Sequence, residues 1–220
     1  MFTDRAEAGR QLAAALAGYR DQAPVVLALP RGGVPVAAEI AAALGCPLDL
    51  IMVRKIGVPA QPELAMGAVV DGSEPLVVRN DDVIASARIG EAEFAAACQR
   101  ELAEIERRRQ HFLGVRPPVD LSGRAAIVVD DGVATGATTR AALRAVRKRK
   151  PGSVVLAVPV APTSSLAALR HEADTLVCLE DHEWFSAIGM FYDDFRQLSD
   201  QDVIDLLARF GDEEAQGASP

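Results

Sequence analysis

Several features that define common protein classes are scarce in this sequence of 220 residues. Its three cysteines are widely spaced and show no metal-binding pattern, which argues against a disulfide framework or a zinc site: Cys46, Cys98 and Cys178. No apolar run approaches the length that spans a membrane. The first residues include Asp4 and Glu7 and lack the apolar core of a signal peptide. These absences predict a cytoplasmic protein with no membrane partner.

Positive charge is also in short supply. Lysine and arginine total 23 against 31 aspartates and glutamates, which gives a net charge of −8. A chain without a basic surface is not expected to bind nucleic acid, and an anionic substrate would need local positive groups. Hydrophobic residues make up 50% of the sequence, and the length suits one domain. That domain is predicted over residues 1–210, with a disordered polar tail over 211–220.

Short apolar runs alternate with helical segments along the chain. Buried strands are predicted over residues 24–29, 48–53, 125–129, 153–160 and 173–179. This alternation favours an α/β fold in which helices cover both faces of a parallel sheet. An irregular loop is predicted over Pro59–Gly67 because of its prolines and glycine. A hairpin is predicted to pair residues 68–71 with 75–78, and the longest helix is predicted over Glu91–Leu113.

Residues 124–139 contain the motif on which the interpretation of the other segments depends. An apolar run ends there at Asp130 and Asp131, and a loop with two glycines and several hydroxyls leads into a helix that starts at Ala137. A helix N-terminus with glycines and hydroxyl donors forms a cradle for phosphate, whereas two carboxylates suit the vicinal diol of a sugar. The pattern predicts a site for a ribose 5-phosphate group. A buried strand followed by an ordinary acid-capped turn is the alternative.

A second strand, loop and helix lie earlier in the chain. The loop is Pro30–Gly33, where Arg31 offers a planar fork of donors. Gly32 and Gly33 would allow backbone amides to face a ligand. This loop predicts a second anion site, although a tight turn with a solvated arginine would give the same local sequence.

The stretch from Val128 to Thr138 resembles the binding motif for phosphoribosyl diphosphate (PRPP) in type I phosphoribosyltransferases. The resemblance implies a Rossmann-like parallel sheet with helices on both faces, plus a small variable subdomain called the hood. It implies that Asp130 and Asp131 contact the ribose. It also implies a phosphate cradle made of Gly132, Val133, Ala134, Thr135, Gly136, Ala137 and Thr138.

The same resemblance assigns the second loop. Gly32 and Gly33 would hold the diphosphate of PRPP. Arg31 and Lys55 would take the charge on the departing diphosphate, with Arg54 a less favoured choice than Lys55. Members of the family often carry a non-proline cis peptide in this loop, so one is expected on the bond before Arg31.

The implied reaction is displacement of diphosphate from C1 of PRPP by a nitrogen nucleophile, as in nucleotide salvage. Asp130 and Asp131 would favour the oxocarbenium-like state of the ribose. Mg²⁺ is the implied cofactor, carried by PRPP and water; it is expected near the two acids, and no side chain is assigned as its ligand. Ala134 stands where enzymes of 6-oxopurines carry an aspartate, which argues against hypoxanthine or guanine as the acceptor.

Residues 180–198 break the alternation of strands and helices and concentrate the aromatic side chains. Together with the N-terminus they are the expected hood. Trp184 and Phe185 are predicted to stack on a planar acceptor. A small satellite core would equally explain the aromatic residues from 191 to 195.

Two other classes of function remain open at this point. The chain could be a regulator that binds PRPP without catalysis, or a sugar-phosphate sensor or partner domain of another enzyme. Arg31 and Lys55 favour catalysis, because a pure ribose-phosphate binder has no need of a diphosphate site. A receiver-like domain fails, since such domains place their acid pair near the N-terminus. The expected partners are PRPP, a small-molecule acceptor and a second copy of the chain.

Overall fold

The computed structural model describes residues 1–72 and 75–210. Its strands are β1 (Val25–Ala28), β2 (Leu48–Leu50), β3 (Val53–Val58), β4 (Gln61–Val70), β5 (Leu76–Arg79), β6 (Ala125–Val129), β7 (Ser153–Pro162) and β8 (Thr175–His182). Its α-helices are α1 (Arg5–Ala15), α2 (Gly33–Leu44), α3 (Asp81–Ser86), α4 (Glu91–Leu113), α5 (Ala137–Lys148), α6 (Thr163–Leu169) and α7 (Asp200–Ala208). Helix α4 has the predicted bounds.

Five strands form a parallel sheet in the order β2-β1-β6-β7-β8. Every residue of β1 and β6 is buried, because successive side chains point to opposite faces and helices cover both. Val26 and Ile127 join one apolar cluster with α1, α2, α4 and α7. Leu27 and Val128 join another with α5 and α6. The predicted α/β fold with helices on both faces is confirmed.

The winding of the chain changes direction between β1 and β6. Ala28 at the end of β1 lies opposite Leu50 on one side and Val129 on the other. Helix α2, which follows β1, packs on one face of the sheet, and α5, which follows β6, packs on the other. The helices after these two neighbouring strands therefore lie on opposite faces, which leaves a crevice at the carboxyl edge of the sheet.

The predicted irregular loop over Pro59–Gly67 is wrong. Most of it belongs to β4, the middle strand of an antiparallel sheet in the order β3-β4-β5. The prolines are tolerated because Pro59 lies in the turn and Pro62 lies beside a β-bulge, where the register shifts on either side of Gly57. A Cβ on Gly57 would lie 2.4 Å from the carbonyl oxygen of Pro62, so glycine allows the two strands to approach.

The predicted hairpin is present, since β4 pairs with β5 and Val70 lies opposite Leu76. The turn residues Ser73 and Glu74 lie outside the described residues, as does the tail expected over 211–220. The single domain over 1–210 stays a prediction. None of the described helices combines the length and the apolarity that a membrane span requires.

A network of buried ion pairs lies at β2, the edge strand of the parallel sheet. Asp49 has no solvent exposure and accepts hydrogen bonds from Arg109 Nη2 at 2.7 Å and from the backbone N–H of Val119 at 3.0 Å. Arg109 also donates to the carbonyl of Leu50 and to Asp71, each at 3.2 Å. The guanidinium of Arg109 thus binds two carboxylates. Burial raises the pKa of Asp71 to about 6.

This network predicts a pH dependence of stability. Because the folded pKa of Asp71 lies above its ordinary value of 3.8, the folded state binds more protons than the unfolded state between about pH 4 and pH 6. The carboxyl therefore lowers stability as pH rises through that window, by about 3 kcal/mol. Urea unfolding at about pH 4 and pH 7 measures this effect. Between the two pH values, the unfolding free energy of the wild type should fall by about 3 kcal/mol more than that of Asp71→Asn.

The matched control is Asp82→Asn at an exposed position of α3, which should keep the wild-type pH dependence. An Asp71→Asn variant whose stability varies with pH as the wild type's does would contradict the assignment.

Candidate active site

The two predicted anion loops meet at the crevice. The backbone N–H of Leu29 donates to the carbonyl of Val129 at 2.9 Å, which places the loop after β1 beside the residues after β6. The peptide bond between Pro30 and Arg31 is cis, as predicted.

Gly32 and Gly33 bring the loop backbone directly onto the acid strand. A Cβ on Gly32 would lie 2.1 Å from Asp131 Oδ2, and one on Gly33 would lie 2.7 Å from the carbonyl oxygen of Val129. Both separations are shorter than van der Waals contact, so any other residue would force the loop away from Asp131. The glycines therefore serve the contact between the two loops, in addition to the predicted exposure of amides to a ligand.

The two carboxylates line different cavities. Asp130 lines a cavity of about 100 Å³ that also contacts three arginines, Arg31, Arg54 and Arg108. Asp131 lines a cavity of about 350 Å³, shared with Arg5, Arg31, Gly32 and Phe195. Arg31 lines both cavities, and its Nη1 lies 3.5 Å from Asp200 Oδ1 in a partly exposed ion pair.

Asp131 is held at three points. Its carboxylate accepts a hydrogen bond from Arg5 Nε at 2.7 Å, and both side chains are only 10% exposed. Its carbonyl accepts from the hydroxyl of Tyr192 at 2.7 Å, and its backbone N–H donates to Asp130 Oδ1 at 2.9 Å. Burial raises the pKa of Asp131, while the hydrogen bond and charge of Arg5 oppose the rise.

Asp130 has no comparable cationic partner. It forms no ion pair within residues 1–72 and 75–210. Burial raises the pKa of Asp130 well above its ordinary value, and the neighbouring charge of Asp131 raises it further. Asp130 thus lines a cavity together with Arg31, Arg54 and Arg108 and pairs with none of them in the described part of the chain.

The loop from Gly132 to Thr138, which the sequence predicts to cradle a phosphate, runs into the start of α5. Gly136 has a φ of 76°, a left-handed conformation that favours glycine, and no described side chain caps α5. The first N–H groups of the helix therefore lack a side-chain partner and face the loop. Ser165 on α6 anchors the loop by donating to the carbonyl of Ala134 at 2.6 Å.

The structure separates Lys55 from Arg54, because neighbouring residues of β3 point to opposite faces. Lys55 donates to the carbonyl and carboxylate of Glu63 at 3.2 and 3.1 Å. Arg54 lines the cavity of Asp130 and pairs with Glu101. Arg54 thus lies in the cavity of Arg31 and Asp130, whereas Lys55 lines a separate cavity of about 280 Å³ with Ala137 and Thr138. The predicted role of Lys55 stays untested.

Sequence reasoning missed some residues that the structure brings to the crevice. Arg108 lines the Asp130 cavity together with Ile105 and Phe112 of the same helix. Their helical spacing was a usable signal, because it places all three on one face of α4. Arg5 is 126 positions away from Asp131 in the sequence, and no local pattern indicates their contact.

The expected hood segment packs against the N-terminus. The Phe2 ring lies 5.5 Å from Tyr192, and the Phe185 ring stacks on Phe191 at 5.1 Å. Trp184 is 92% exposed. The aromatic residues thus form a small core with an exposed indole at its edge, and the predicted acceptor role of Trp184 and Phe185 stays a prediction.

An acid pair beside a glycine-bounded loop and an uncapped helix N-terminus, at the switch point of a parallel sheet, is typical of α/β proteins that bind phosphorylated ligands. The sequence profile of the Phosphoribosyl transferase domain matches residues 3–88 and 96–196, which include both loops. The chain belongs to the phosphoribosyl transferase family.

The chain is also similar to individual proteins of known sequence or structure. The chain is 46% identical over 209 residues to the "Putative phosphoribosyl transferase Rv0571c" of Mycobacterium tuberculosis (strain ATCC 25618 / H37Rv), an alignment that covers 95% of this chain and 47% of the relative. It therefore spans about half the length of that protein. The crystal structure of TT1426 from Thermus thermophilus shares 41% identity and a TM-score of 0.80, covering 96% of this chain and 99% of that one.

The contact between the two loops predicts a cost for any side chain at Gly32. Gly32→Ala should destabilise the protein by about 1–3 kcal/mol, because the added methyl must displace Asp131 or the loop. Gly18→Ala is the matched control, since Gly18 is exposed, a Cβ there meets nothing within 4 Å and its φ lies outside the left-handed region. Urea unfolding checks both; equal effects of the two substitutions would contradict the close packing.

Proposed function

We propose that this protein transfers the 5-phosphoribosyl group of PRPP to a nitrogenous acceptor with release of diphosphate. The observation that carries the proposal is the packing of the Pro30–Gly33 loop against the acid pair, next to the uncapped start of α5. Three kinds of binding group then lie close together at the carboxyl edge of the sheet. They suit the 5-phosphate, the ribose diol and the diphosphate of a single PRPP molecule.

Each part of PRPP has a candidate partner. The cradle from Gly132 to Thr138 would bind the 5-phosphate through backbone N–H groups and hydroxyls. Asp130 and Asp131 would accept hydrogen bonds from the ribose hydroxyls, and their charge would favour an oxocarbenium-like ring. Arg31 would hold the diphosphate, with Arg54 or Lys55 as the second cation. Holding these groups in register supplies much of the catalysis, since no protein nucleophile is needed.

The donor set fits a Mg²⁺ ion carried by the substrate. Among the described residues no group of three or more metal-binding side chains occurs, which argues against a site made by protein alone. Mg²⁺ typically takes one or two carboxylates together with phosphate oxygens and water, and Asp130 is the carboxylate in the cavity that would serve. The ion would neutralise charge on the diphosphate.

The acceptor is proposed to be a nucleobase other than a 6-oxopurine. Ala134 supplies no carboxylate to such a base. Phe185 packs in the same apolar cluster as Ile188, and Ile188 lies 2.7 Å from the position that a Cβ on Gly132 would take. Trp184 and Phe185 are the proposed stacking residues.

Diphosphate release tests the proposal. Purified protein with PRPP and Mg²⁺ would be incubated with a panel of nucleobases and amines. Release should depend on one acceptor and should fall at least ~100-fold in Asp130→Asn, because the charge that stabilises the oxocarbenium-like state is lost. Tight PRPP binding by calorimetry without release on any acceptor would favour a regulatory protein. Absence of PRPP binding would refute the assignment of the site.

Arg54 and Lys55 provide a matched pair for the second cation. The geometry predicts that Arg54→Met weakens PRPP binding at least ~10-fold, equivalent to about 1.4 kcal/mol, whereas Lys55→Met changes it less than ~3-fold. Calorimetric titration of both variants with PRPP decides between them. If Lys55→Met alone weakened binding, the sequence-based assignment of Lys55 would stand and Arg54 would be excluded.

A further inference from the structure

Arg5 makes a buried link between the N-terminus, the hood segment and the acid pair. Its Nε lies 2.7 Å from Asp131 Oδ2, and its Nη1 donates to the carbonyl of Arg196 at 3.0 Å. Its guanidinium carbon lies 3.8 Å from the ring centroid of Phe195, a cation–π contact. Since only 8% of Arg5 is exposed, this side chain is fixed by packing as well as by charge.

We propose that Arg5 is a positioning residue that fixes the Asp131 carboxylate for a ribose hydroxyl and thereby makes the site select ribose phosphates over deoxyribose phosphates. This inference rests on the proposed function, because it assumes that the acid pair binds the sugar.

The first step is that Asp131 would not keep its position without Arg5. A buried carboxylate that loses its cation is strongly unfavourable, so it would rotate towards water or towards another cation. Oδ2 is also the atom that occupies the space beside Gly32, where a Cβ would lie 2.1 Å away. Arg5 and Gly32 therefore hold the carboxylate between them.

The second step is that the ion pair leaves Asp131 able to bind a hydroxyl. A carboxylate has about four acceptor positions, and the hydrogen bond from Arg5 uses one of them, on Oδ2. Asp131 also lines the 350 Å³ cavity beside Arg31. A hydroxyl donor in that cavity can therefore reach the Asp131 carboxylate, whose orientation is already fixed.

The third step is the difference between the two acids. Asp130 forms no ion pair in the described part of the chain, and its carboxylate accepts a hydrogen bond from the backbone N–H of Asp131. Asp131 is tied at its carboxylate, its carbonyl and its N–H. A fixed acceptor discriminates a missing hydroxyl better than a mobile one, because it cannot relax to another partner. Asp131 is thus the acid expected to distinguish ribose phosphates from deoxyribose phosphates.

The test is the ratio of two dissociation constants, for 2-deoxyribose 5-phosphate and for ribose 5-phosphate, measured by calorimetry. The wild type should bind ribose 5-phosphate at least ~10-fold more tightly. Arg5→Gln and Asp131→Asn should each lower the ratio below ~3-fold, and the double variant should lower it no further, since both act through one contact. Arg5→Lys, which keeps the charge, should give an intermediate ratio.

Two controls separate positioning from general damage. Arg10→Gln removes another arginine of α1, one whose side chain is 59% exposed, and should keep the wild-type ratio. Inorganic phosphate, which needs only the cradle at α5, should bind Arg5→Gln within ~2-fold of the wild type. If Arg5→Gln does not fold, Phe195→Leu retains Arg5 without its stacking partner and should still lower the ratio.

The outcomes are distinct. A wild type that binds neither sugar phosphate nor PRPP refutes the proposed function. A wild type that binds both sugars equally, or a folded Arg5→Gln protein with the wild-type ratio, overturns the role of Arg5 and leaves the proposed function in place. An unchanged ratio in Phe195→Leu, where that variant is the one used, overturns it as well.

Discussion

Contact between Gly32 and the carboxylate of Asp131 determines how the rest of the crevice is arranged. The loop after β1 can lie on the acid strand only because Gly32 lacks a side chain at the point where Oδ2 approaches. Arg5 stabilises that buried carboxylate. Since Arg5 begins α1 and Phe195 lies in the expected hood segment, a single buried charge connects the first helix and residues 180–198 to the site.

The parallel sheet provides the frame for this contact. β1 and β6 are neighbours whose following helices lie on opposite faces, which leaves room for a ligand at the carboxyl edge of the sheet. A phosphorylated sugar bound there would touch the backbone of two helix starts and the side chains of two acids. Such a site needs few catalytic side chains, because orientation and charge supply the chemistry.

Local patterns were sufficient to predict the five strands of the parallel sheet, the long α4 helix and the two loops. The cis bond before Arg31 was expected from the family resemblance alone. They failed where the outcome depends on distant contacts. The prolines between Pro59 and Gly67 suggested a loop, but a bulge at Gly57 allows a strand. The choice between Arg54 and Lys55 required the direction of β3 relative to the crevice. The pairing of Arg5 with Asp131 joins residues 126 positions apart, and only the folded chain reveals it.

The most direct measurement is a crystal structure of the protein with PRPP and Mg²⁺. The account predicts the 5-phosphate at the start of α5, the ribose hydroxyls on Asp130 and Asp131, and the diphosphate on Arg31 and the backbone of Gly32 and Gly33. PRPP bound elsewhere, or bound with its diol away from the acid pair, would contradict it.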